Sequence, residues 1–407
     1  MYPTLYHALL DLFGWDLPGL KLINSFGFFV ALAFAVAAAL LRSEINRKQR
    51  LGIFQPVKET HTTGLPPNPW DIGLQALLGF LLGWKLLYLF FQGGTLFADG
   101  RPPQAHLFSG EGNVLWGLLM AAVFGGWRYW EVRKQMLPQP RVETLTLPAS
   151  VHVGGIVTAA VIGGMLGAKL FHLLEYPDEL VAFFQRPSLN NLLGGLTVYG
   201  GLIIGTLAVA IYARRQRLPF WPLADAAAPG MMLAYGIGRI GCQVSGDGDW
   251  GLPNPQPKPG WLGWAPDWVW SYNYPNNVNA VFGEKPAGYA GKLIGPEHPW
   301  PIFDGYGTYL DPGVFPTPLY ETLMATAIFA LLWAMRKRWK ITGAIFAAYL
   351  FFNGLERILI EQIRVNTDLS WWPGVTQAEL IASLTLLGGA VAWVGLHRRH
   401  RAVAKAG

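Results

Sequence analysis

Gly238-Arg239-Ile240-Gly241-Cys242-Gln243-Val244-Ser245-Gly246-Asp247-Gly248-Asp249-Trp250-Gly251 closes an apolar run that begins at residue 222. A second glycine-rich stretch, Gly194-Gly195-Leu196-Thr197-Val198-Tyr199-Gly200-Gly201, opens the run before it. An arginine at the end of an apolar segment is costly unless it holds an anion, and glycine on both sides lets backbone or ligand approach closely. In a bilayer the anion at hand is a lipid phosphate.

The chain has 407 residues, 52% of them hydrophobic and 14% charged. Its apolar residues are bunched into runs close to the roughly 20 needed to cross a bilayer as a helix. These runs fall at 24–41, 74–92, 113–127, 151–174, 195–212, 222–240, 318–335, 342–361 and 376–396. The pattern predicts an all-α polytopic membrane protein with about nine transmembrane helices, forming a single membrane domain over residues 1–407. The N-terminus lacks a basic stretch before an apolar one, so no cleavable signal peptide is expected and the first span is retained.

Lysine and arginine set the orientation, because short basic loops stay on the cytoplasmic side. Arg42, Arg47, Lys48 and Arg50 follow the first span; Arg128, Arg133, Lys134 and Arg141 the third; Arg214, Arg215 and Arg217 the fifth. Arg336, Lys337, Arg338 and Lys340 follow the seventh, and His397, Arg398, Arg399 and Arg401 the ninth, while the alternate loops carry few basic residues, such as Arg101, Arg186 and Arg364. This parity puts the N-terminus outside and the C-terminus in the cytoplasm. The net charge of +6 is then a topology signal, and the basic residues form no single face for a nucleic acid. One cysteine, Cys242, excludes an intrachain disulfide and a cysteine-rich metal site. Neither a metal nor a cofactor is expected.

Residues 51–150 contain the second and third runs and their links. The second and fourth runs echo each other: Gly79-Phe80-Leu81-Leu82-Gly83-Trp84-Lys85-Leu86 beside Gly163-Gly164-Met165-Leu166-Gly167-Ala168-Lys169-Leu170. One reading is a pair of small-residue packing faces whose lysines snorkel or find partners. The other is that Lys169, with His172 on nearly the same face, lines a cavity for an anionic lipid. Segment 242–317 is long and rich in Pro, Trp, Tyr, Asn and Gly, which predicts an ordered extracytoplasmic cap, since disordered chains are poor in aromatics.

Arg239 at a membrane boundary is either a snorkelling anchor or an anion ligand, and its glycine neighbours favour the second. Asp247 and Asp249 are there to orient it or to act as bases, or are simply solvated. At 3.6 residues per turn Arg357, Glu361 and Arg364 share a helix face, so Glu361 is expected between two arginines, as a structural ladder or as a phosphate site with excess positive charge. Pro318-Leu319-Tyr320-Glu321 opens a span, where a glutamate suits any helix dipole. Tyr199 and His172 are titratable candidates, each also readable as an interface anchor or a satisfied polar residue.

Taken together the chain resembles the prolipoprotein diacylglyceryl transferases of the bacterial cytoplasmic membrane. The resemblance is carried by Gly167-Ala168-Lys169-Leu170, the glycines from Gly195 to Gly205, Ala213-Arg214-Arg215, Gly238-Arg239-Ile240-Gly241, Trp250-Gly251, Pro318-Leu319-Tyr320-Glu321, Arg357 to Arg364, and Thr376-Gln377. It implies transfer of the sn-1,2-diacylglyceryl group of phosphatidylglycerol to the lipobox cysteine of a prolipoprotein signal peptide, with release of glycerol 1-phosphate. It also implies a seven-helix bundle, so the two helices within 51–150 are an inserted pair. Together with the residue readings above, it makes Arg239, Tyr199, Arg357, Glu361, His172 and Asp249 the catalytic candidates. The phosphatidylglycerol site would then be Arg239, Arg357, Arg364, Lys169, Gly200, Gly201, Asp247, Trp250 and Gly251.

The chain departs from the family pattern in places. Tyr199-Gly200-Gly201 stands where His-Gly-Gly is usual, and the loop after Arg239 is one residue longer, with Cys242 and Ser245 at asparagine positions and Asp247 or Asp249 for a glutamate. Phe26 and Asn353 stand where tyrosines are usual. These changes keep the arginines and alter the proton chemistry. They leave a rival class open, a phospholipid-binding or transport protein of the same fold without the activity, and between the two a transferase with another acceptor.

Overall fold

The structure, a computed structural model, describes residues 1–97, 103–185, 195, 197–279, 290–366, 368–369 and 372–406. Arg101, Arg186, Gly194, Leu196 and the 280–289 portion of the 242–317 segment lie outside the described residues. A short helix α1 (Leu5–Phe13) precedes the long α2 (Ser25–Arg50), whose first turn is capped by Asn24 accepting from Gly27 N at 2.6 Å. Strand β1 (Val57–Thr63) leads to α3 (Pro69–Leu81), a π-helical turn at Leu82–Leu87, and α4 (Tyr88–Leu96). Then come α5 (Val114–Gln135), β2 (Arg141–Leu147), α6 (Val153–Glu175), α7 (Pro177–Gln185), α8 (Val198–Arg215) and α9 (Phe220–Ser245). A loop-rich segment carries the hairpin of β3 (Ala290–Leu293) and β4 (Thr308–Asp311). The chain closes with α10 (Thr317–Met335), α11 (Ala344–Glu361), a small ribbon of β5 (Asp368–Leu369) and β6 (Trp372–Thr376), and α12 (Gln377–Ala406).

The protein is thus mainly helical. Among the described residues, five helical stretches are long and apolar enough to cross a membrane: Ser25–Arg50, Pro69–Leu96, Ala149–Glu175, Thr317–Met335 and Gln377–Arg401. Helices α5, α8, α9 and α11 lie over the remaining apolar runs. This is a polytopic membrane protein, and its outward leucines, phenylalanines and tryptophans suit lipid.

Small residues set the helix crossings, as expected where lipid removes the hydrophobic drive between helices. A side chain on Gly163 would meet Ala208 and Ile204 of α8, and one on Gly167 would strike the Gly200 carbonyl. The Gly163/Gly167 face therefore packs α6 onto α8. Gly241 does the same for α9 against Phe26 and Phe29 of α2, Gly236 for α9 against Ala325 of α10, and Gly354 for α11 against Ala382 and Leu386 of α12. A buried cluster of Ala228, Met232, Ala325, Leu332, Ile345 and Ala348 fills the space among α9, α10 and α11. Asp225 of α9 ties the far end by accepting from Gly343 N at 2.7 Å and Phe346 N at 2.9 Å, capping α11 from a neighbouring helix.

Helices α3 and α5 pack on each other, while α4 packs against Gly19 of the N-terminal segment. Gly79 and Gly83 lie against the backbone of α5 at Met120 and Trp116, and β1 pairs antiparallel with β2 from Val57↔Leu147 to Thr63↔Arg141. Lys85, in the π turn, is buried and donates to Ser109 O (2.7 Å), Ser109 Oγ (2.9 Å) and Glu111 O (2.6 Å). Its ammonium therefore serves the loop between α4 and α5, the partnered alternative of the two readings given to the lysine-bearing runs.

Candidate active site

The C-terminal ends of α9 and α11 and the N-terminal end of α10 meet at one end of the bundle. Arg239, one and a half turns before the end of α9, stacks its guanidinium 5.1 Å from the Tyr235 ring centre. Its Nη1 donates to Asp249 Oδ2, and its Nε lies 3.2 Å from Glu321 Oε2. Glu321, in the first turns of α10, is fully buried. Its Oε1 accepts from the Tyr235 hydroxyl at 2.9 Å, Arg357 Nη1 at 3.3 Å and Arg364 Nη1 at 3.2 Å. Arg364 Nη2 donates to Asp249 Oδ1 at 2.8 Å, and Arg357 Nη2 pairs with Glu361 Oε2 at 2.8 Å. One carboxylate from α10 therefore gathers three arginines from two other helices and the turn after α11.

Backbone contacts hold the loop that brings Asp249 here. Gly246 takes a left-handed φ of 64° to end α9, and its N–H donates to Cys242 O at 2.9 Å. Gly251 bridges Arg364 across the loops, its N–H donates to Phe315 O at 2.8 Å, and the N–H of Leu252 donates to Ile363 O at 2.8 Å. Thr317 Oγ1 donates to Asp249 O at 2.8 Å. Trp250 is buried beneath, 5.2 Å from the Tyr274 ring, in an aromatic core with Leu310 and Val314. Trp250 and Gly251 thus shape the loop that carries Asp249.

The geometry corrects two expectations. Glu361 does not lie between two arginines: it pairs with Arg357, Thr376 Oγ1 (2.7 Å) and Asn366 Nδ2 (2.5 Å), while Arg364 turns to Glu321 and Asp249. The helix ends at Glu361, so Arg364 lies in a following turn and its direction is set by the bridge to Gly251, not by helical periodicity. Nor is there excess positive charge, since Glu321, Asp249 and Glu361 match the three arginines one for one. Glu321, read from sequence as an ordinary first-turn acid, is the hub. Tyr235 and Glu356 went unremarked, although any acid inside an apolar run is a signal.

Tyr199, at the first turn of α8, is half-buried, with Arg357, Glu361 and Arg364 within electrostatic reach. Gly200 is buried against Gly167 and Phe171, and Gly201 lies beside Gly164 and Ala168, so these glycines serve the α6–α8 crossing. His172 is buried, with Nε2 2.7 Å from Glu179 Oε2 and its ring 4.9 Å from that of Tyr176, and it packs against Gly195. Among the described residues His172 contacts Tyr176, Glu179 and Gly195 and none of the arginines of the cluster. Lys169 is half-buried one turn earlier on α6. Asn353 Nδ2 faces Met232 Sδ at 3.9 Å.

The two loop aspartates are pushed in opposite directions. Burial alone would raise Asp249, but Arg239 and Arg364 outweigh it and hold its carboxyl at about 2, below the ordinary 3.8. Asp247 is raised, first by burial and then by the Asp249 charge. Asp249 is therefore a fixed anion near neutral pH, and Asp247 is the better proton acceptor of the two. Asp249 contributes stability above the unfolded value of 3.8 that is lost as pH falls through about 2. Thermal unfolding in detergent should show a loss across that window that is smaller in Asp249→Asn. The ligand atoms of Cys242, Asp247 and Asp249 lie within 4.8 Å of one another, and both Asp249 oxygens are already paired with arginines.

A family model described as prolipoprotein diacylglyceryl transferase matches residues 139–395, which include every residue of this cluster. The chain belongs to the prolipoprotein diacylglyceryl transferase family. It is 29% identical over 267 residues to the phosphatidylglycerol-prolipoprotein diacylglyceryl transferase of Corynebacterium glutamicum, covering 64% of this chain and 72% of that one. It is 27% identical over 325 residues to the protein of the same name from Trichormus variabilis, covering 73% and 94%, and 26% identical over 287 residues to that of Leptospira interrogans, covering 59% and 77%. In this family member the match begins at residue 139, after α5, and ends within α12.

Proposed function

We infer that this chain is a phosphatidylglycerol-prolipoprotein diacylglyceryl transferase of the bacterial inner membrane. It carries out the diacylglyceryl transfer of lipoprotein maturation, in which glycerol 1-phosphate leaves. The observation that carries this reading is the cluster of Arg239, Arg357 and Arg364 around Glu321 and Asp249, inside the part of the chain that matches the family. Among the described residues the buried Arg364 Nε has no acceptor, which suits a phosphate oxygen.

In the proposed reaction the three arginines hold the phosphodiester of phosphatidylglycerol. The lipobox thiol, near 8.5 when free, gives its proton to Asp247. The thiolate then attacks the glycerol carbon that bears the phosphate ester, the C–O bond breaks, and the charge left on glycerol 1-phosphate is held by the arginines. Asp249 orients Arg239 and Arg364. Tyr199 donates a hydrogen bond toward the phosphate, because ionising it at neutral pH would cost about 4 kcal/mol.

The proposed topology has nine crossings, the N-terminus outside and the C-terminus in the cytoplasm. It is supported by helices at each apolar run and by the alternation of basic loops. Residues 51–150 are proposed as an inserted pair, supported by the family match starting after α5. The 242–317 segment is proposed as the extracytoplasmic cap, supported by its aromatic core of Trp250, Tyr274, Leu310 and Val314.

The test is transfer of labelled diacylglycerol from phosphatidylglycerol to a lipobox peptide by the purified protein. Tyr199→Phe is expected to lower kcat roughly tenfold, the scale of one lost hydrogen bond to a charged group. Bound phosphatidylglycerol without any transfer would favour the lipid-binding reading instead, with the loss of histidine at position 199 as its cause.

A further inference from the structure

Glu356 of α11 is 2% exposed and takes no part in the ion pairs above. Its Oε1 lies 3.5 Å from the Tyr235 hydroxyl, and among the described residues its Oε2 has no hydrogen-bond partner. The groups facing it are Tyr235 and Arg239 from α9, Glu321 from α10, and Tyr349 and Arg357 from its own helix. Both arginines are engaged elsewhere, Arg239 with Asp249 and Glu321, Arg357 with Glu321 and Glu361. Tyr235 has one proton, and the shorter contact, 2.9 Å, gives it to Glu321 Oε1.

An ionised Glu356 would place a bare carboxylate oxygen in the bundle beside a second carboxylate, with no donor set on it among the described residues. A protonated one has a use for its proton, because the Tyr235 oxygen keeps lone pairs after donating to Glu321. We propose that Glu356 is a neutral carboxylic acid that donates to the Tyr235 oxygen, aims the tyrosine hydroxyl at Glu321, and so spares the arginine cluster a further negative charge. It is a positioning residue, acting through Tyr235 and Glu321. Ionisation of Glu356 adds a negative charge beside the arginines and weakens their hold on an anionic phosphodiester. This rests on the reading of the cluster as the phosphatidylglycerol site.

Two measurements test it. Infrared spectra of the purified protein at neutral pH should contain the carbonyl stretch of a protonated carboxylic acid that disappears in Glu356→Gln and shifts in Tyr235→Phe. This readout needs no activity and survives even if the chain transfers nothing. In the transfer assay, KM for phosphatidylglycerol in the wild type should rise roughly tenfold from neutral to alkaline pH, the scale of one partly screened charge, with kcat much less affected. Glu356→Gln should remove that rise. Absence of a Glu356 carbonyl band, or an alkaline rise in KM that persists in Glu356→Gln, overturns the proposal. A band without any transfer upholds the neutral acid and rejects the transferase reading alone.

Discussion

Glu321→Ala is expected to cost about 3–5 kcal/mol of stability, the range for removing one partner of a buried ion pair, and to eliminate transfer. Glu321 is fully buried and lies 3.2–3.3 Å from nitrogens of Arg239, Arg357 and Arg364. Without it, three guanidinium groups crowd one end of the bundle with Asp249 and Glu361 as their paired carboxylates, and Tyr235 loses its shorter acceptor. Repulsion and desolvation then act together. Glu321→Gln keeps the shape and an acceptor oxygen but drops the charge, so it should fall between wild type and alanine. Arg357→Ala is the control. It removes one of Glu321's three arginine partners and the cation of Glu361, which keeps Thr376 and Asn366, so it should cost less than Glu321→Ala. Thermal unfolding of the three variants in the same detergent decides the matter. If Glu321→Ala melts no earlier than Arg357→Ala, Glu321 is not what gathers the arginines.

Much of the helical scaffold could be read from single runs of sequence. Helices lie over the apolar runs, and the Gly79/Gly83 and Gly163/Gly167 faces pack as small-residue faces do. These are local signals. The site is assembled from residues 249, 321, 357 and 364, and no local pattern records which helix end meets which. Periodicity put Arg357, Glu361 and Arg364 on one face, which fails because the helix stops at Glu361 and a bridge from Gly251 redirects Arg364. The glycines after Tyr199 were legible as a close approach, but whether ligand or helix came close required Gly167 and Phe171 to be in place. His172 and Lys169 share a helix face in sequence, yet the contact that engages His172 comes from Glu179 on the next helix. The acids Glu321 and Glu356 could have been weighted by charge alone, since a carboxylate in an apolar run needs a partner.

Arg239→Ala should lower transfer by about 10²–10³-fold or more, the loss seen when one preorganised donor to a developing anion is removed, while the protein stays in the membrane. Arg239 is held from three sides, by Asp249, by Glu321 and by the Tyr235 ring, so its direction is fixed before substrate arrives. Such a group stabilises charge on the departing phosphate without reorganising at that moment. Loss of Arg239 also leaves the Asp249 carboxylate with Arg364 as its remaining guanidinium partner, which loosens that side chain and raises KM as well as lowering kcat. Arg239→Lys separates charge from geometry. A lysine keeps the positive charge but cannot lie flat on Tyr235 and bridge two carboxylates with a planar fork. It should therefore recover substrate binding more than turnover, leaving kcat at least roughly tenfold below wild type. Equal rescue of both parameters would mean that charge alone suffices, and transfer by Arg239→Ala close to the wild-type rate would remove Arg239 from the reaction.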